Sequence, residues 1–313
     1  MTATPIVIAH RGASGYLPEH TLAAKALAYG LGADYLEQDV VATRDGRLVV
    51  LHDLHLDDVS DVAQRYPGRS RSDGHHYVID FDLAELETLR LFERRIPGGT
   101  AAKYPTRFPA DTGAGGIATF TDELRLVRGL NKSTGRSVGL YPEIKEPEWH
   151  RTHGIDLARL LLAELTAFGY SCAEDPVFVQ CFDAAELERV KSELGSELKL
   201  IQLVGAGNRH AELLTAAGLR RVASYACGLG PHHAQLAEAS AGQRPQLAPL
   251  TKLTRDQGLL LHPYTFRRDD LPAYARTLEE WLEFFFVEAR VDGVFCDYPD
   301  VAVRVRGSTL KVQ

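Results

Sequence analysis

Cysteine is scarce in this chain, with four among 313 residues and no CxxC pair. Three of the four, Cys172, Cys181, Cys227 and Cys296, fall in apolar strand-like runs. All are therefore expected to be buried free thiols rather than a disulfide framework or a thiolate metal site. That usage suits a reducing compartment. No run of 18 apolar residues occurs, and the N-terminus Met1–His10 has neither a charged n-region nor a long apolar h-region. The expectation is a protein without integral membrane association, cytoplasmic as the sequence stands and periplasmic or secreted if a leader has been trimmed. Positive charge is not in excess either: 35 Lys and Arg against 42 Asp and Glu leave a net charge of -7. Nucleic-acid binding through bulk electrostatics is thereby disfavoured, and an anionic small-molecule substrate requires a local cationic site. Glycines 113, 115 and 116 lack the Lys-Ser/Thr that completes a phosphate-binding loop. No 20–50-residue repeat, low-complexity tract or signal of oligomeric state is present.

What the sequence does have is 45% hydrophobic residues in a regular alternation. Short β-branched runs at Ile6–Ala9, Tyr35–Val41, Gly139–Glu143, Pro176–Gln180, Lys199–Leu203, near Gly228, Leu259–Pro263 and Gly293–Cys296 read as strands. Between them, amphipathic stretches such as Thr21–Leu31, Asp122–Leu130, Ile155–Phe168, Ala184–Glu193, Ala211–Tyr225, Leu250–Gln257 and Leu278–Val287 read as helices. Eight such alternations predict an α/β fold, a closed (β/α)8 TIM barrel, in preference to an open doubly wound sheet. The whole of 1–313 is expected to form one catalytic domain.

One interval breaks the rhythm. From Leu54 to Ala118, segments such as "RYPGRSRSDGHH" and "PADTGAGG" surround one small helix announced by the capping box Asp82/Glu85. A structureless loop of that length is unusual inside a barrel, so 54–118 is expected to be an insertion subdomain after the second strand. It should roof one face and select among substrates without supplying essential chemistry. Arginines 65, 69 and 71 share it with Asp61 and Asp73 and are expected to form a solvated surface. The turn signal Arg44-Asp45-Gly46-Arg47 folds His52 back toward the preceding strand.

Residues that carry chemistry interrupt the strand ends. Glu37 and Asp39, two apart, share one face of a strand. Glu143 and Lys145 repeat that spacing at the end of the third strand, and His10 and Arg11 end the first. In a barrel all of these lie at the C-terminal face, where active sites are built. Two carboxylates ~4 Å apart repel by about 4 kcal/mol at an effective dielectric of about 20, so three together must be protonated, paired with cations or bound to metal. Pairing with Lys145 and Arg11 in an internal ion network is one outcome. A hard divalent cation, Ca²⁺ or Mg²⁺, is the other, because all-oxygen ligation favours these ions. His10 and His52 flank the cluster as a general acid and base would. The adjacent pairs His75-His76 and His232-His233 point different ways on any regular element, and neither pair is read as a dedicated metal site.

With these residues assembled, the sequence resembles the glycerophosphodiester phosphodiesterase family, in its longer bacterial branch. The stretches that carry the resemblance are "AHRGASGYLPEHTL", "GADYLEQDVV", "LVVLHD", "YPEIK", "QCFD", "HPYT" and "DGVFCDYPD", in order from Ala9 to Asp300. The resemblance implies a (β/α)8 barrel with an insertion after the second strand and hydrolysis of glycerophosphodiesters to glycerol-3-phosphate and an alcohol. It implies that Glu37, Asp39 and Glu143 hold one divalent cation, Ca²⁺ in preference to Mg²⁺, that His10 and His52 are the acid–base pair, and that Arg11 and Lys145 contact phosphate. Gln180, Phe182, His262 and Tyr264 match positions near the substrate. His20, in "PEHT", is the longer branch's residue. The competing expectations are a sphingomyelinase-D-like or phospholipase-like phosphodiesterase on a related barrel, and a non-catalytic phosphodiester-binding barrel. The latter would be expected to lose one of the histidines, and both are present.

Overall fold

A computed structural model describes residues 4–239 and 243–309. Residues 1–3, 240–242 and 310–313, which the expected 1–313 domain includes, lie outside the described residues. The strands are β1 (Ile6–Ala9), β2 (Tyr35–Ala42), β3 (Leu48–Val50), β4 (Gly139–Ile144), β5 (Phe178–Cys181), β6 (Lys199–Val204), β7 (Gly228–Pro231), the short pair β8 (Ala237–Glu238) and β9 (Gln246–Leu247), β10 (Leu260–Leu261) and β11 (Gly293–Cys296). Eight of them run in the order β10-β7-β6-β5-β4-β2-β1-β11, and the β-ladders along that path are parallel. Between the ends of that path, the backbone N–H of Asp292 donates to Leu261 at 3.0 Å and that of Phe295 to Pro263 at 3.1 Å. These bonds bring the two edges together, and the fold is a nearly closed α/β barrel.

The strands read as continuous apolar runs because both of their faces are covered. Ile8, Tyr141, Phe178, Ile201 and Phe295 fill the interior, with Tyr141 5.0 Å from both the Phe178 and Phe295 rings. The barrel centre is thus a packed core with the open space confined to its mouth. Outward-facing residues such as Val7, Leu36, Leu140 and Val179 pack under the helices.

Local chemistry moves several boundaries. The helix expected over Asp122–Leu130 spans Phe120–Thr134, because Thr119 Oγ1 caps the Asp122 N–H and the αL residue Gly135 ends it. The stretch expected as one helix over Ala211–Tyr225 splits into a 3-10 turn, Ala211–Leu214, and a helix, Ala216–Val222, because Thr215 caps a fresh start at Gly218. The strand expected over Leu259–Pro263 is only the two residues of β10. All four cysteines are free, but only Cys181 and Cys296 are buried. Cys172 departs from expectation because it sits in the loop before β5, where its backbone N–H and thiol both meet Asp175.

The turn at Arg44–Arg47 makes the expected hairpin, with β3 antiparallel to β2 and Gly46 at φ 71°. Beyond it, residues 54–118 are mostly irregular, with short helices at Val62–Arg65 and Leu83–Leu86. The N–H of Asp82 donates to Glu85 Oε2 at 2.9 Å, the returning half of the capping box. Leu56, Val59, Phe81 and Leu91 join Val41 and Val49 of the hairpin in an apolar cluster of their own. On the outside, Arg69 pairs with Glu85 and Arg71 with Asp80, each about a third exposed. Among the described residues, no helix is long and apolar enough to cross a membrane.

Candidate active site

Strand register assembles the centre. Asp39 of β2 lies beside Glu143 of β4, and Glu143 beside Gln180 of β5, so three polar side chains form one row across the barrel mouth. Glu37 shares the face of Asp39. These four line one cavity together with His10, Arg11, His52, Phe182, Tyr264 and Arg267. Arg11 follows β1 in a left-handed turn, φ 58°, and its backbone N–H donates to Glu37 Oε2 at 2.6 Å. Gly12 continues the turn at φ 84°, where an added Cβ would stand 2.8 Å from the carbonyl carbon of Ala24.

Charge in this row is unbalanced. Glu37, Asp39 and Glu143 are all buried. Lys145 Nζ lies 2.8 Å from Glu143 and 3.4 Å from Asp39, and the Arg11 guanidinium 3.4 Å from Asp39. Burial opposes a charge on Asp39 as well, but Lys145, His52, His20 and Arg11 hold it well below the usual carboxylate range. The other two receive less help. Burial, reinforced by Asp39, pushes Glu37 well up, and burial lifts Glu143 to about 8 against the pull of Lys145. Two buried acids that resist ionisation beside a third that is ionised make a site short of positive charge.

Each histidine is held by its own carboxylate. His10 Nδ1 donates to Asp297 Oδ1 and His52 Nδ1 to Asp53 Oδ1, both at 2.6 Å. Asp297 and Asp53 are themselves kept well below the ordinary range, against burial, by arginine and by the histidines they face. Burial and Arg11 lower both imidazoles to about 4, so at neutral pH each carries its single proton on Nδ1 and presents Nε2 as a base.

Several of these groups escaped the sequence. Asp297 follows the last strand and Asp53 follows His52, positions that a barrel makes eligible for the site. His20, which the sequence marks only as a residue of the longer branch, is fully buried and donates from Nε2 to Asp39 Oδ2 at 2.8 Å. Arg94 and Arg107 come from the mostly irregular residues 54–118. Arg94 Nη1 meets Asp53 at 2.6 Å and its Nη2 meets Glu19 at 2.6 Å, while Arg107 Nη2 meets Asp297 at 2.6 Å. Two arginines of residues 54–118 therefore buttress the carboxylate behind each histidine, where the sequence led to no expectation of a part in the site's chemistry. Two of the expected site residues, Lys145 and His262, are not among those lining the cavity: Lys145, expected to contact phosphate, is instead paired with Glu143 and Asp39. His262 lies deeper still. It sits in the barrel interior against Phe178, with Nδ1 2.8 Å from the Tyr141 hydroxyl, and burial lowers it to about 3.

An eight-stranded α/β barrel with oriented imidazoles, buried acids and an arginine at the C-terminal mouth is the arrangement of a barrel hydrolase. Residues 10–301 match the model of the glycerophosphoryl diester phosphodiesterase family. Two curated relatives named glycerophosphodiester phosphodiesterase align over almost the full chain. One, from Haemophilus influenzae, is 41% identical over 97% of this chain and 90% of its own length; the other, from Treponema pallidum, is 37% identical over 96% and 92%. A solved structure from Silicibacter pomeroyi superposes with a TM-score of 0.75 at 22% identity, covering 99% of this chain and 95% of that one. An Oleispira antarctica phosphodiesterase, solved with the product sn-glycerol-3-phosphate, gives a TM-score of 0.64 at 21% identity over 96% of both chains. The chain belongs to the glycerophosphoryl diester phosphodiesterase family and is an enzyme of that activity.

Proposed function

We propose that the chain hydrolyses small glycerophosphodiesters, glycerophosphocholine and glycerophosphoethanolamine among them, to glycerol-3-phosphate and an alcohol. His10 and His52 serve as the acid–base pair, and Glu37, Asp39 and Glu143 hold one divalent cation. The observation that carries this assignment is the pair of imidazoles, each fixed by its own buttressed carboxylate, lining one cavity with three buried acids.

Glu37 and Asp39 place carboxylate oxygens at ligand spacing beside the buried His20, and Glu143 adjoins Asp39 in the row. The donors of these three acids are all oxygen, which suits Ca²⁺ or Mg²⁺, and the raised Glu37 and Glu143 are the acids that a dication would let ionise. When bound, the ion would supply Lewis-acid neutralisation of a phosphoryl oxygen. Arg11 is placed to take the phosphate's other charge, and Lys145 to keep Asp39 and Glu143 in position. One neutral imidazole accepts the proton of the attacking oxygen, either that of water or that of the glycerol's own hydroxyl; in the latter case water then opens the cyclic phosphate to glycerol-3-phosphate. The other imidazole, protonated from solvent as the anionic phosphodiester enters and offsets the Arg11 charge that helps lower its pKa, donates that proton to the leaving alkoxide. Phe182 and Tyr264 wall the cavity on the side of Gln180, whose Oε1 is buried with no hydrogen-bond partner among the described residues. That oxygen remains available to a substrate hydroxyl.

Release of glycerol-3-phosphate from the two diesters, with and without chelator, tests the assignment. Glu37→Gln removes a charge at nearly constant shape, so calorimetry should show Ca²⁺ or Mg²⁺ affinity reduced by at least ~tenfold, no less than for a lost outer-shell partner. Unchanged affinity would return the acids to an internal ion network.

The inserted segment gives a second expectation. Arg94→Met and Arg107→Met should each lower kcat by ~10–100-fold if the loss of a ~1.5–3 kcal/mol charged hydrogen bond is felt in the transition state. KM should move little, because neither residue is assigned to bind substrate. A change in KM with kcat preserved would instead make these arginines part of the roof that selects among alcohols.

A further inference from the structure

The inserted segment carries a second constellation of ligating side chains, unrelated to the carboxylate row. Residues 54–56 and 76–78 run antiparallel, with Leu56 N–H donating to His76 at 3.0 Å, Val78 N–H donating to Leu54 at 2.9 Å, and a bridge between His55 and Tyr77. That register puts Asp57 opposite His75, and the alternation of a strand puts His55 on the same face as Asp57. Adjacency in the sequence concealed the arrangement, because only one member of His75-His76 belongs to the face. Its companions lie 18 and 20 positions earlier.

The spacing is that of ligands rather than of hydrogen-bond partners. His55 Nδ1 stands 3.7 Å and His75 Nδ1 3.5 Å from Asp57 Oδ2, and each of the three residues offers a ligand atom within 4.8 Å of the other two. Three other histidines of this chain, His10, His52 and His76, meet their carboxylates at 2.6, 2.6 and 2.7 Å, which is how an imidazole sits when it donates a proton. His55 and His75 stand off by about another ångström. Both of their Nδ1 atoms are buried with no hydrogen-bond partner among the described residues. Two ligands on a tetrahedral ion with bonds of ~2.0–2.1 Å are separated by ~3.4 Å, close to the two distances found.

We infer that His55, Asp57 and His75 form a site for a borderline divalent transition cation, of which Zn²⁺ is the type. Two imidazoles and one carboxylate are the donor set of such an ion and are richer in nitrogen than the acids assigned to the ion at the barrel mouth. The carboxylate is already oriented, since Asp57 Oδ1 accepts from His76 Nδ1 at 2.7 Å and Oδ2 from the His76 backbone N–H at 2.9 Å. The two imidazoles stack with centroids 4.3 Å apart and planes 26° from parallel. They must open like a book for one ion to lie in both ring planes. Being partly exposed, they are free to do so, and solvent supplies the fourth ligand. Occupancy would staple 54–57 to 75–78 at the base of the insertion, where His55 also lines the outer cavity with His52 and Asp53.

Zn²⁺ binding to the whole chain, measured by equilibrium dialysis in excess Mg²⁺, tests the site, with Co²⁺ as the spectroscopic probe. The parent should retain one Zn²⁺ per chain and show the intense visible bands of tetrahedral Co²⁺. His55→Ala and His75→Ala should each weaken binding by more than ~tenfold. Glu37→Gln, which alters only the mouth, should bind Zn²⁺ as the parent does. The imidazole signals of His55 and His75 should shift on Zn²⁺ addition in the unmutated protein, a readout independent of how the variants fold. Equal Zn²⁺ affinity in parent, His55→Ala and His75→Ala, no Zn²⁺ retained in Mg²⁺, or unmoved imidazole signals would each overturn the inference.

Discussion

Alanine in place of either His10 or His52 is expected to lower kcat by ~10²–10⁴-fold, the range for losing a positioned general acid or base. Cation affinity should stay within a few-fold of the parent, because neither imidazole is among the three acids assigned to the ion. The double variant should lose far less than the product of the single losses, since proton transfer to and from the phosphodiester is one coupled event. The carboxylates behind the histidines give a finer test. Asp297→Asn and Asp53→Asn keep the shape of the pocket but abolish the charge that fixes the proton on Nδ1, leaving the imidazole free to adopt the tautomer with Nε2 blocked. Each should therefore reduce kcat with little change in KM and should move the pH profile of kcat/KM, which a purely structural role would not do. A histidine whose removal left kcat within a few-fold of the parent would lose its catalytic assignment.

The barrel and the row of acids were legible because they depend on periods within single segments. An alternation of apolar strands and amphipathic helices states the fold class, and the two-residue spacing of Glu37 and Asp39 states that both face one way. What no single segment states is who meets whom across the closed ring. His10 and Asp297 are 287 positions apart and touch only because β1 pairs with β11. His262 shows the same limit from the other side. It ends a ladder of only two residues, and the barrel turns it inward to Tyr141 instead of up to the cavity. The arginines of residues 54–118 look alike as a sequence. Arg69 and Arg71 solvate the surface, whereas Arg94 and Arg107 reach the site, and only the path of irregular chain between them separates the two pairs.

Lys25→Met is expected to destabilise the fold by about 3–5 kcal/mol, the usual cost of stranding one member of a buried ion pair. Lys25 and Glu123 are both 0% exposed, and Nζ lies 2.8 Å from Glu123 Oε2. The same ammonium donates to the backbone carbonyl of Glu37 at 2.5 Å, tying the helix Leu22–Gly30 to the strand that carries the acids. Burial raises Glu123 against the pull of Lys25, so the folded chain keeps that proton to higher pH than the unfolded chain does. Its contribution to stability is accordingly full below the unfolded value of 4.5 and declines as pH rises toward the raised one. The double variant Lys25→Met/Glu123→Leu removes both charges together. Urea unfolding should show it recovering most of the single variant's loss and losing that decline with pH, since an apolar pair of similar volume replaces two desolvated ions. Function should not recover with stability. The double variant still lacks the bond to the Glu37 carbonyl, so its cation affinity should remain below that of the parent at a pH where both are fully folded. Full recovery of cation binding would show that Lys25 serves the core alone, and a single variant within about 1 kcal/mol of the parent would show that the pair is not the buried ion pair the geometry describes.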